Sequence, residues 1–208
     1  MDSTTARAPD DPHASHGDHA GHGHHHEMPT EGRELTVMAA SATLHCLTGC
    51  AIGEVAGVAI GTAAGFSNAG TIVLAIALAF LFGYALTSWP LLRAGFALGA
   101  VIPIALASDT LSIATMEVVD NAINLAVPGA MEAGLGDLLF WGSLAFALAI
   151  AGFFAWPVNR WLIGRGRGHA VVHETGIHGG PPVPLVAAIF AIALVFGSAV
   201  LIGETVVG

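Results

Sequence analysis

Lysine is absent from this 208-residue chain, and charged residues of every kind make up only 10% of it. A soluble domain carries about 25% charged residues, so a water-facing globular surface is excluded. A nucleic-acid partner is excluded with it, because there is no basic patch. The basic residues are all arginines, at 7, 33, 93, 160, 165 and 167. Cysteine is nearly missing as well: Cys46 and Cys50 are the whole complement. No disulfide framework is therefore implied. A bridge between positions four apart on one helix would strain the backbone, so both are read as reduced thiols. There is no GxGxxG, P-loop, G-x-S-x-G or HExxH motif, which argues against nucleotide-driven pumping and hydrolase chemistry, and no nucleotide cofactor is expected. The acidic, polar start lacks the basic n-region and short apolar core of a cleavable signal, so the first apolar span is expected to act as its own insertion signal.

What fills the chain instead is apolar sequence, 54% of all residues. Windows close to the roughly 20 residues that cross a bilayer fall at about 36–61, 70–89, 138–158 and 183–203. Between them, 94–127 would measure about 50 Å as one straight helix, against a hydrocarbon core of about 30 Å. Pro103 and Asp109 are the places where it would kink or divide. Arginine placement decides the count. With 94–127 crossing once, there are five spans, and every arginine lies on the side of the N-terminus, as the positive-inside rule asks. Six spans, the alternative, would put Arg93 and the N-terminal tail outside. The expectation is an all-α, polytopic transmembrane helix bundle of five spans in the bacterial inner (cytoplasmic) membrane, with its N-terminus cytoplasmic. A disordered, acidic, His-rich tail over 1–34 precedes a transmembrane domain over 35–208. Gly49, Gly53, Gly57 and Gly61 repeat every four residues, the small-residue spacing that lets membrane helices approach closely. Trp141, Trp156 and Trp161 stand where interfacial anchors are expected.

Polar residues inside apolar spans are costly, roughly 2.5–3.5 kcal/mol for an ionisable group at a helix centre, so they mark candidate sites. In the first span Cys46, Cys50 and Glu54 share a face, because four residues turn a helix by 400°. His45 lies about 100° away and joins them only with help from another helix. Thiolates select Cu(I), Zn(II) and similar ions, and imidazole suits several metals. Against this stands the plainer possibility that both cysteines are small core residues. In the third span Asp109, Glu117 and Asp120, with Met116 beside them, follow helical spacing. They are read as relaying protons or cations, unless 114–127 has emerged as a wet amphipathic helix. Counted from the inside ends of their spans, Glu54 and Asp109 fall at similar depth, which allows a shared site in the outer half of the membrane. The tail concentrates His13, His16, His19, His22, His24, His25 and His26, a composition suited to capturing Zn, Ni, Co or Cu. His169 and His173, at i and i+4 after the fourth span, would make half a metal site if helical.

The runs ATLHCLTGCAIGEVAG, SDTLSIATMEVVDNAINLAVPGAM and FWGSLAFALAIAGFFAWPVNRWLIGRGRGHAVVH resemble a bacterial membrane family catalogued as domain of unknown function 4396. The likeness covers about residues 40–174 and leaves out the last span and the tail. It implies an integral membrane protein. Through a loose association of that family with copper-handling contexts it favours metals, without assigning catalytic residues.

The functional expectation is a membrane protein that binds or transports a transition-metal cation, copper first, through an intramembrane Cys/His/carboxylate site. The alternatives are a thiol or quinone-linked oxidoreductase, weakened because redox dithiols favour C-x-x-C, and a non-catalytic subunit or assembly factor. An enzyme is the less favoured class. Expected partners are the lipid bilayer, a metal ion, and a second copy of the chain or another membrane or metal-handling protein.

Overall fold

Within a bilayer the backbone has no water to bond, so an apolar run must satisfy its own N–H and C=O groups as helix. The computed structural model describes residues 32–168 and 183–207, and among these each long apolar run is one helix. They are α1 (Gly32–Ala64), α2 (Asn68–Arg93), α3 (Leu98–Ala126), α4 (Leu138–Ile163) and α5 (Val183–Val207). Each has a segment long and apolar enough to span a membrane. The ambiguous third run is a single helix of 29 residues, continuous through Pro103, or about 43 Å at 1.5 Å per residue. The described residues form a bundle of five helices capable of spanning a membrane. The tail histidines, and His169 and His173, lie outside the described residues.

Glycine ends the first two helices sharply. Gly65 and Gly95 take left-handed φ angles of 70° and 91°. The amides that follow bond back across the last turn, Phe66 N to Gly61 O at 2.9 Å and Phe96 N to Leu91 O at 3.2 Å. This closure caps orphan carbonyls and turns the chain back at once.

Sequential helices run antiparallel, and their small residues set the spacing. Along α1, Gly49, Gly53, Gly57 and Gly61 meet Gly83, Ala79, Ala75 and Thr71 of α2 in reverse order. A methyl group at Gly53 would collide with the Ala79 backbone. Gly142, Gly152 and Gly197 do the same work between α4 and α5, against Val200, Phe190 and Phe146. α1 touches all four other helices and is the axis of the bundle. α5 leans on α4 from outside, with little contact elsewhere.

This up-and-down order gathers the described arginines at one end. Arg33 opens α1, Arg93 closes α2, and Arg160, Arg165 and Arg167 close α4 and its following turn. Arg93 stacks 4.7 Å over Trp89 and Arg165 4.3 Å over Trp161, as cations and indoles pair at a membrane interface. Trp156, read from sequence as another anchor, instead packs half-buried against the Leu35, Ala39, Ala42 and Ile163 cluster. The opposite end carries Glu132, Asp137 and Glu204, with no basic residue among the described residues there.

Candidate functional site

α1 and α3 both start at the arginine end, so they run in parallel, and their polar stripes meet in register. Cys46 faces Asp109 across a separation of 63 residues, and Glu54 reaches Glu117 at the same offset. The result is a polar column inside the bundle, built as two layers.

The layer nearer the arginine end joins three helices. The Cys46 Sγ lies 3.9 Å from Asp109 Oδ1. Thr87 Oγ1, from α2, donates to Asp109 Oδ2 at 2.6 Å. His45 Nε2 stands 2.9 Å from the same hydroxyl oxygen. A hydroxyl has one proton and two lone pairs; with that proton given to Asp109, His45 must donate its own Nε2–H to Thr87. So His45, pointing about 100° away from Cys46 on α1, rejoins it through α2. Asp109 is fully buried. Thr87 was not among the residues singled out from sequence. One hydroxyl near the end of a span is too ordinary a signal, and only its neighbours give it meaning. On the flank, Asn159 Nδ2 of α4 donates to Thr43 Oγ1 at 2.9 Å, with both residues buried.

The second layer is acidic. Cys50 lies within electrostatic reach of Glu117, Cys46 and Asp120, and Glu54 within reach of both Glu117 and Asp120. Glu117 and Asp120 are 4% and 1% exposed, so this part of α3 is enclosed by protein and is not the emergent wet helix considered from sequence. Asn124 Nδ2 donates to Asp120 Oδ2 at 3.0 Å. Both Glu117 carboxyl oxygens, Glu54 Oε1 and Asp120 Oδ1 are buried without a well-formed hydrogen bond. The Cys50 thiol beside Glu117 is only a weak donor. No basic side chain is among the groups acting on Glu54, Glu117 or Asp120. Met116 is buried with Cys46, Cys50 and Ile113 in the apolar cluster that holds the two layers together.

Two expectations need correction. Glu54 and Asp109 do not share a site. They sit in different layers, about 12 Å apart along the bundle, since eight residues separate Cys46 from Glu54. The depth count misplaced them because α1 starts at Gly32 and 94–97 is a link outside α3. Secondly, among the described residues no three of His, Cys, Asp and Glu converge closely enough to hold one metal ion. The single Cys/His/carboxylate centre is split because the thiols stand one turn apart and each faces a different carboxyl.

A cavity of about 300 Å³ opens beside the acidic layer at the arginine-free end. Glu54 is the deepest of the α1 residues lining it, and Phe66, Asn68 and Glu132 stand at the linkers around its mouth.

A family model described as Domain of unknown function (DUF4396) matches residues 37–168. The chain belongs to this family. The family's domain runs from the first turns of α1 to the turn after α4 and contains both polar layers and the cavity, while α5 and the His-rich tail lie outside it. No curated protein and no solved structure matches the chain.

Proposed function

We propose that this member of the family binds and passes a transition-metal cation through the interior of its bundle, copper being the first candidate. The observation that supports it is the acidic layer: Glu54, Glu117 and Asp120 lie together, buried, with no basic partner among the described residues. Carboxyls in that setting bring like charge into low dielectric, at a cost of several kcal/mol per ion. A bound cation, or protons held in its place, offsets that cost. Cys50 beside Glu117, Cys46 in the adjoining layer and Met116 between them supply soft donors, the donor class that suits Cu(I). The absence of a three-ligand centre among the described residues fits an ion that steps between layers better than one held permanently. The His-rich tail is the expected capture segment, and the bilayer and a second copy of the chain remain the expected partners.

The test is the metal content of untagged, copper-loaded, full-length protein in detergent. Wild type is compared with the Cys46→Ser/Cys50→Ser double variant and with Glu117→Gln. All three carry the same tail, so their differences isolate the interior. Wild type is expected to retain more copper than either variant. Equal copper in all three would sink the proposal.

A further inference from the structure

The cavity carries information that the buried layers do not: it has a direction. It is walled by Glu54, Val58 and Thr62 of α1, Asn121 and Asn124 of α3 and Ser143 of α4. The polar groups in that set offer oxygen; the one sulfur in the lining is the Met131 thioether, and no thiol is there. Carboxylate and carbonyl oxygens suit hard ions such as Mg, Ca and Mn, whereas thiols suit soft ones. Glu54, 9% exposed, lines the inner end of the space, and its Oε1, buried in the wall, has no hydrogen-bond partner among the described residues, so no other protein group there satisfies that oxygen. The volume of about 300 Å³ is several times the roughly 30 Å³ share of one liquid water, so an ion can enter with water still on it. The described arginines are all at the far end of the helices, and Glu132 is at the mouth. Charge therefore favours a cation here and opposes none.

We infer that this cavity is an entry vestibule that takes a hydrated divalent cation from the arginine-free face of the membrane, with Glu54 as its inner ligand. The fate of the ion beyond Glu54 rests on the cation-handling function proposed above, but its entry does not. Neither thiol lines the vestibule.

The experiment uses the full chain with Cys46→Ser and Cys50→Ser in membrane vesicles of both orientations. A single reporter, Val58→Cys, sits one turn above Glu54. Ser143→Cys on the opposite wall serves as a second reporter in case the first disturbs folding. A membrane-impermeant, cationic methanethiosulfonate is expected to label either reporter from the arginine-free side and not from the other. Val118→Cys, on a face 70% exposed to the surroundings of the bundle, is expected to stay unlabelled. Mn²⁺ is expected to slow labelling, and that protection is expected to be lost when Glu54→Gln is added. Labelling only from the arginine side, labelling of Val118→Cys as fast as the reporters, or labelling indifferent to Mn²⁺ would each overturn the inference. Both native thiols are absent from these chains. Mn²⁺ protection alongside a failed copper measurement would therefore leave the vestibule standing and remove the proposed function.

Discussion

At Thr87 one hydroxyl links three helices: it donates to Asp109 of α3 and meets His45 of α1, from a position on α2. Replacing it with valine keeps the shape and leaves a buried acceptor short of a donor. Such a loss costs about 1–3 kcal/mol in proteins generally, while membrane helix hydrogen bonds average about 0.6 kcal/mol. Thr87→Val is therefore expected to lower stability by about 1 kcal/mol. Thr48→Val, at an exposed threonine that only bonds back to its own helix at Leu44, is expected to change it by less than about 0.5 kcal/mol. Unfolding in detergent, followed by circular dichroism against added denaturant, measures both. Equal effects would mean that the Thr87 bond is not holding the layer. At this scale the sequence marked Cys46, Cys50, Glu54, Asp109, Glu117 and Asp120 as polar residues in apolar runs, because ionisable groups stand out there. Thr87, Thr43 and Asn159 were not legible in the same way: neutral polar side chains are tolerated in membrane helices, and only a partner on another helix gives them a role.

Helix α1 is placed by what it lacks. Four of its glycines, Gly49, Gly53, Gly57 and Gly61, let it lie against α2 with backbone nearly touching backbone, and that approach brings Thr87 to His45. Gly53→Leu is expected to force the pair apart. Overpacking costs about 1–3 kcal/mol where neighbours can shift, and Ala79 meets this site with rigid backbone, so the upper end is expected. Gly203→Ala, within α5 and with open space where a methyl would go, is expected to be neutral or to stabilise by up to about 1 kcal/mol through helix propensity. Melting temperatures of the two purified variants decide this; a Gly53→Leu protein as stable as wild type would show that the close approach is dispensable. The repeat itself was visible in the sequence. Its partners on α2, Thr71, Ala75, Ala79 and Gly83, also recur every four residues, but sequence alone does not say that the two stripes meet.

At the scale of the molecule, the five described helices in up-and-down order separate two chemically different ends, one with the described arginines and one with Glu132, Asp137 and Glu204. On the positive-inside rule the arginine end is expected on the cytoplasmic side. We expect a cysteine at Ala20 to be unreactive toward an impermeant maleimide on intact cells, and a cysteine at Glu132 to be labelled, each tested without the native thiols. The reverse pattern would invert the topology and with it the side from which the vestibule fills.

Helical class and membrane residence follow from composition and run length, because unpaired backbone is not tolerated in lipid, and arginine placement then chooses five spans over six. Sequence also singles out which side chains are too polar for their surroundings. It cannot say which of them meet. That depends on helix start points and on the parallel offset of α1 and α3, which puts Cys46 with Asp109 and Glu54 with Glu117, and on α2, which returns His45 to its neighbour through Thr87. Contacts between helices are set by side-chain packing across distant parts of the chain. Only the folded bundle could therefore divide one expected site into two layers and open a cavity beside the acidic one.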